Sequence, residues 1–339
     1  MNLTTYPISL PLRHTFRIAR HAEDVSENFY VRVEHHGVTG IGEGAPSPRY
    51  GESVASGMAA AQRVVANLAA LDSPEEALKL LSSLPIAGAA ARAAIEMALL
   101  DLLGKIHDKP LHQLLGIDPG MLPPTSFTLG IASPEEIRRK VLEAEPYRIL
   151  KIKLGSSDDF ATVEAVRSMT DKPLRVDANE GWTPEQAVTI INWLETKGVE
   201  LVEQPLPAGD VDAMRWLRAR VRLPLVADES CRNAEDIPGL VGAFDGINIK
   251  LSKCGGLREA LRMIQLARQH GLKVMLGCMI ESSVGITAAA HLAPLVDYVD
   301  LDGHLLVAED PYEGVGLVDG ALVLPDGPGI GVKPRALSA

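Results

Sequence analysis

The chain has 339 residues, and 33 Lys and Arg against 44 Asp and Glu give a formal net charge of −11, with 46% hydrophobic and 23% charged residues. That makeup excludes a disordered or fibrous chain, and the length exceeds the roughly 250–300 residues at which one hydrophobic core stops growing, so a large domain with an elaboration, or two domains, is expected. The acidity, with no run of four Lys or Arg, argues against a nucleic-acid partner.

At the N-terminus Pro7 and Pro11 interrupt the apolar stretch that a signal peptide needs, so no export signal is expected. The most apolar region, Pro85 to Leu103, carries Arg92, Glu96 and Asp101, whose charges would be costly in a bilayer, and no membrane partner is expected. The first 45 residues alternate like strands (FYVRVEHHG, then TGIGEGA), which predicts an antiparallel sheet. From Val54 to His107 the pattern is helical and alanine-rich, and SPEE at Ser73 to Glu76 supplies an N-cap, a first-turn proline and a reaching glutamate.

After Pro123 short β-branched runs alternate with amphipathic helices. The runs are FTLGI, ILKIKL, LRVDAN, VELVEQPL, LPLVADES, GINIKLS, KVMLGCM and YVDLDG. Helices open between them at SPEE (Ser133) and TPEQ (Thr183). Polar residues ending successive strands, Lys153, Asp177, Glu203, Asp228, Lys250, Cys278 and Asp302, are spaced 24, 26, 25, 22, 28 and 24 apart. That regularity predicts one α/β barrel over 123–309, with functional groups at the C-terminal ends of its strands; a flat doubly wound sheet is the weaker alternative. The tail from 310 to 339 reads as hairpins and is expected to return to an α+β domain formed by 1–122. Cys231, Cys254 and Cys278 are widely spaced and odd in number, which offers no disulfide framework or zinc pair and suits a reducing cytoplasm.

Strands covered on both faces should be apolar, because an unpaired ion there costs several kcal/mol. These strands are not. Asp177 and Asn179 share one face of the third strand by the period of two, Glu203 ends the fourth and Asp228 the fifth. Like charges on adjacent strands repel unless a cation neutralises them, and all-oxygen ligands suit Mg²⁺ or Mn²⁺ better than zinc. Lys151 and Lys153 lie on one side of the second strand and Lys250 ends the sixth. In an eight-stranded ring those strands face each other, so a carboxylate held by the metal presents its α-carbon with one lysine on each face. The ion would stabilise the enediolate formed when the α-proton leaves. One lysine would remove the proton and the other return it, which requires burial and neighbouring cations to lower a lysine pKa toward operating pH. Asp300 and Asp302 share a face of the eighth strand, across the mouth from Glu203, and suit a substrate ammonium; Thr128 on the first strand could donate to the substrate.

KIKLG, RVDANEGW, VEQPL, ADES and NIKLSKCGG together resemble the muconate-lactonizing subgroup of the enolase superfamily, over nearly the whole chain. The resemblance implies a modified TIM barrel, (β/α)7β, behind an α+β capping domain built from the N-terminal region and the C-terminal tail. It implies Mg²⁺ on Asp177, Glu203 and Asp228, Lys153 and Lys250 as paired bases, and Lys151 setting the pKa of Lys153 or binding substrate. VDLDG with Asp300 and Asp302 is similar to dipeptide epimerases, where such a pair binds the α-ammonium. APSPRYGES, FRIAR and GCMIES, the last carrying Cys278 and Met279 toward the substrate, are similar to L-Ala-D/L-Glu epimerases of cell-wall peptide metabolism. Arg17 and Arg20 then lie where a capping loop closes, and Arg20 would meet a substrate side-chain carboxylate. Glu281 in GCMIESS lies near the expected dipeptide carboxylate, where it would pair with a lysine or face away. An o-succinylbenzoate synthase, N-acylamino acid racemase or cycloisomerase on the same scaffold is the alternative enzyme, and an idle metal-binding barrel the non-enzyme one. A homo-oligomer is expected by analogy alone.

His304, beyond the eighth strand, reads as a loop residue, not a base, and GIGEG and GPGIG read as turns, lacking the strand-to-helix setting of a phosphate loop. Gly255 and Gly256 offer a weak phosphate signal at a helix N-terminus.

Overall fold

A computed structural model describes residues 1–335. Strands β1 (Asn2–Arg17), β2 (Ala22–His35) and β3 (Val38–Gly44) form an antiparallel sheet. The β1–β2 ladder runs from Asn2↔Glu34 to Arg17↔Ala22, with an irregularity between Pro11 and Phe16. β1 is an edge strand, which is where Pro7 and Pro11 can sit without removing a ladder donor the sheet needs. Helices α1 (Val54–Ala69), α2 (Pro74–Ser83) and α3 (Ala89–Ile106) follow. Ser73 caps α2 by accepting from the Glu76 amide, but its hydroxyl donates to Glu75.

α3 is buried on nearly every side, and β3 lies directly on it. GIGEG is therefore not a turn: a Cβ at Gly40 would fall 2.0 Å from the Ala98 carbonyl and one at Gly42 2.1 Å from that of Ala94. The glycines, with the small residues of α3, let strand and helix backbones approach closely.

Eight parallel strands make the second sheet, in sequence order: β4 (Ser126–Leu129), β5 (Ile149–Lys153), β6 (Leu174–Asp177), β7 (Val199–Glu203), β8 (Leu225–Ala227), β9 (Gly246–Ile249), β10 (Lys273–Gly277) and β11 (Tyr298–Asp300). A bridge between Thr125 and Val299 joins the last strand to the first, closing the barrel. The expected capping boxes are present, Ser133 with Glu136 and Thr183 with Gln186. Register aligns the functional level: Lys153 pairs with Asp177, Asp177 with Glu203, and Gly277 with Asp300.

The tail touches both units. Gly316–Val318 pairs with Ala321–Val323, which bridges to Pro124 beside the barrel, while Gly329 accepts from the Leu111 amide and Ile330 donates to Asp101 of α3. Residues 336–339, part of the tail expected to return to the N-terminal domain, lie outside the described residues. Among the described residues no helix is long and apolar enough to cross a membrane.

Candidate active site

At the C-terminal ends of the barrel strands a cavity of about 380 Å³ opens beneath the β1–β2 hairpin, and Phe16, Lys151, Lys153, Asp228, Lys250 and Asp302 are among its lining. Carboxylate oxygens of Asp177, Glu203 and Asp228 lie within 4.8 Å of one another, all buried. Each acid is held by its own strand and its neighbours. Asp177 Oδ1 accepts from the Asn179 amide at 2.9 Å, and Oδ2 accepts from Lys153 at 2.7 Å. Glu203 Oε1 accepts from Asn248 Nδ2 at 2.7 Å. Lys151 lies 2.6 Å from Glu203 Oε2, yet that oxygen lacks a hydrogen bond of acceptable geometry. Asp228 Oδ2 accepts from Lys250 at 2.8 Å and Oδ1 from Lys253 at 2.6 Å.

Crowding these acids splits their protonation. Burial raises the Asp177 pKa and Lys153 and Lys151 lower it more, down to about 2. Glu203, by burial and the Asp177 charge against Lys151, is pushed up to about 7. Three buried carboxylates, one of them with an oxygen that accepts no hydrogen bond, fit a hard divalent cation bound through oxygen. Backbone at this rim is strained: Asn179, Glu180 and Gln204 have φ of 44°, 68° and 35°.

Neighbouring acids dominate the charge state of two of the lysines. Burial acts downward on Lys250, but Asp228 and Glu203 hold it well above the usual lysine value. Lys151 is raised for the same reason by Asp300, Glu203 and Asp177 against burial, and its side chain, 2% exposed, lies inside the carboxylate cluster. Lys153 faces the Phe16 ring, 5.9 Å from its centroid.

The acidic pair at the end of β11, Asp300 on the strand and Asp302 two residues past it, is divided in its contacts. Asp300 is occupied, accepting from Lys151 at 2.6 Å and Ser126 at 2.6 Å. Asp302 accepts from the Thr128 amide at 2.6 Å, and burial plus the Asp300 charge push it up to about 6, with Thr128 opposing. Thr128 thus orients Asp302. Cys278 and Met279 line the cavity, with the Cys278 thiol donating to the Asp300 carbonyl at 3.4 Å.

Arg20 reaches the mouth but is not free. Its Nη1 donates to the Asn179 carbonyl at 2.8 Å and Glu180 at 2.7 Å, and Nη2 donates to Glu229 at 2.7 Å. Arg17 lines a separate surface cleft with Arg139 and Lys140. Glu281 faces away from the cavity, accepting from Ser252 at 3.1 Å and the Met279 amide at 3.1 Å. A side chain at Gly256 would strike Glu96, whose carboxylate accepts from the Arg258 amide, so that helix start holds no phosphate. His304 is half-buried, and loss of water around its ring together with Arg335 pushes it down to about 4.

Sequence reasoning assigned no role to Asn248, Lys253, Ser126 or Glu229. Asn248 shares the period-two face of Lys250, a signal available in NIK; Lys253 stood in the NIKLSKCGG motif.

The family model described as "Enolase C-terminal domain-like" matches residues 134–338, and that of the "Mandelate racemase / muconate lactonizing enzyme, N-terminal domain" matches 2–116. A Bacteroides thetaiotaomicron protein named L-Ala-D/L-Glu epimerase is 43% identical over 98% of this chain and 88% of its own length. A Pedosphaera parvula L-Ala-D/L-amino acid epimerase is 41% identical over 99% of this chain and all of its own, 100%. Among solved structures, the dipeptide epimerase of Enterococcus faecalis, complexed with Mg and L-Leu-L-Tyr, superposes with TM-score 0.90 at 34% identity, covering 98% of both chains. The substrate-liganded L-Ala-D/L-Glu epimerase of Bacillus subtilis gives 0.92 at 32% identity over 99% of both.

Proposed function

Because the chain belongs to the mandelate racemase and muconate lactonizing enzyme family, whose two domain models together span nearly all of it, we propose that it is a Mg²⁺-dependent dipeptide epimerase. It is an isomerase that inverts the α-carbon of the dipeptide's C-terminal residue, one of Lys153 and Lys250 taking the α-proton from one face and the other delivering a proton to the opposite face. The observation that carries this reading is that two lysines from strands β5 and β9, four apart in the ring, each pair with a different acid of one buried carboxylate cluster.

Asp177, Glu203 and Asp228 hold the cation, and Mn²⁺ suits the same oxygen donors. When bound, the cation supplies countercharge to the substrate carboxylate as its α-proton leaves and offsets the acids that keep Lys250 protonated. Lys250 Nζ and Lys153 Nζ act from opposite faces of the α-carbon, one accepting the proton and the other, already protonated, donating at the far face. Asp302, oriented by Thr128, binds the dipeptide α-ammonium; Asp300 serves indirectly by fixing Lys151. Lys151 neutralises the inner side of the cluster. Phe16 and the hairpin exclude water from the Lys153 side.

The names of the Bacteroides and Pedosphaera relatives support L-Ala at the first position, and the Bacteroides name supports Glu at the second. The engagement of Arg20 by Glu180 and Glu229 speaks against Glu there. A cytoplasmic location draws support from the three free cysteines. The test is incubation with Mg²⁺ and a dipeptide library in D₂O, followed by chiral separation. Mass gain at the α-carbon with formation of the opposite epimer is expected, abolished by EDTA and restored by Mg²⁺. No exchange with any dipeptide discards the reading.

A further inference from the structure

The epimerase reading leaves open which side chain the inverted residue carries, and the inference here rests on that reading. The charges around the outer cavity bear on it directly. Both arginines at the mouth are already paired with acids: Arg20 donates to Asn179, Glu180 and Glu229, and Arg49 donates through Nε and Nη2 to the two oxygens of Glu180 at 3.0 and 2.9 Å. An anionic substrate side chain would meet these cations already countered by the Glu229 carboxylate, whose side chain is 2% exposed, and by that of Glu180, itself held by the Ala208 amide at 2.7 Å.

The hairpin's acids present the opposite situation. Asp24 accepts from Thr15 at 2.6 Å and Glu27 accepts from Ser9 at 2.7 Å. Glu23 pairs with Phe16 across the β1–β2 ladder and lines the cavity, and among the described residues its carboxylate accepts no hydrogen bond. Its one ionic neighbour there is His21, whose Nε2 lies 3.9 Å away. Burial, Arg20 and Lys153 all disfavour the charged form of that histidine. Burial also raises the Glu23 pKa, as for a carboxyl that has lost water without gaining a cation. Around it Phe16, Ile18, Val25 and Met279 line the same cavity with apolar surface, suited to the methylene stem of a long side chain.

We propose that the inverted residue carries a cationic, lysine- or arginine-like side chain, whose charge pairs with Glu23 while its stem lies along the hairpin's apolar residues. The protein then discriminates by charge at the hairpin. It favours a cation through Glu23, and it disfavours an anion through Glu23 and through the engagement of Arg20.

The test compares kcat/KM for α-proton exchange with L-Ala-L-Lys, L-Ala-L-norleucine and L-Ala-L-Glu, in the wild type, Glu23→Gln and Glu23→Arg. Norleucine keeps the stem and removes the charge. The wild type is expected to favour lysine over norleucine by about tenfold or more, and glutamate least. In Glu23→Gln the lysine-to-norleucine ratio should fall to about one, and in Glu23→Arg glutamate should overtake lysine. A wild type that prefers glutamate or norleucine, or a Glu23→Gln variant that lowers all three rates by the same factor, overturns the inference and leaves the epimerase reading standing. No exchange with these three or with any other dipeptide overturns both.

Discussion

Lys253 grips Asp228 from behind: its ammonium donates to Asp228 Oδ1 at 2.6 Å and to the carbonyl of the same residue at 2.7 Å, while also donating to the Asn248 carbonyl at 2.8 Å. All three donors are used in a side chain with 0% exposure. The contact ties the end of β8 to β9 just past their last ladder pair, Ala227↔Ile247, and thereby sets where Asp228 meets Lys250.

Replacing Lys253 by Met removes one partner of this buried pair. A loss of about 3–5 kcal/mol is expected, because Asp228 keeps its burial and loses a cation. Urea denaturation measures it. Mg²⁺ titration by calorimetry should show weaker binding in the variant, since the Asp228 carboxylate is no longer fixed; unchanged Mg²⁺ affinity would show that Lys253 serves packing alone.

Asp302→Asn removes the charge offered to a dipeptide ammonium and keeps the shape. The loss in kcat/KM should correspond to about 2–5 kcal/mol for a free dipeptide and be far smaller for its N-acetyl derivative. Equal losses on both substrates would assign Asp302 a purely structural part.

Divalent cation binding should stabilise the fold, because Asp177, Glu203 and Asp228 repel one another. At a Mg²⁺ concentration of about 100 times Kd the gain is about 2.7 kcal/mol, seen as a higher Tm that EDTA reverses. Glu203→Gln should reduce the Mg²⁺-dependent shift in Tm. A shift of wild-type size in that variant would place the cation elsewhere.

Where hairpin strands meet the barrel, Glu43 accepts from Ser282, Asn28 and the Gly285 amide, and Glu281 is pushed up to about 8 by burial and the Glu43 charge. A carboxyl whose folded pKa is raised is protonated in the fold, so its favourable contribution is full below the unfolded value near 4.5 and is lost as pH rises through about 8. Stability should therefore decline across that window, and Glu281→Gln should flatten the decline in denaturation curves taken from pH 5 to 9. An unchanged slope would mean that Glu281 is ionised throughout.

The sequence made the barrel legible because its strands end in charges at near-constant spacing, and Lys153, Asp177, Glu203, Asp228 and Lys250 could be placed on one rim from period alone. It could not reveal what each charge touches. Asp300 and Asp302 look equivalent two residues apart, yet Lys151 takes the first and leaves the second to the cavity. Arg20 reads as a free loop cation until Glu180 and Glu229, 160 and 209 positions away, are folded against it. GIGEG reads as a turn because glycine marks chain reversals more often than the close packing of a strand on a helix.

In the proposed mechanism two lysines serve opposite faces of one carbon. Lys153→Ala and Lys250→Ala should each lose epimerisation by a factor of about 10²–10⁴ or more, and in D₂O with Mg²⁺ each should still exchange the α-proton of one epimer only, the two variants choosing opposite epimers. Exchange of the same epimer by both variants, or of both epimers by either, would contradict it.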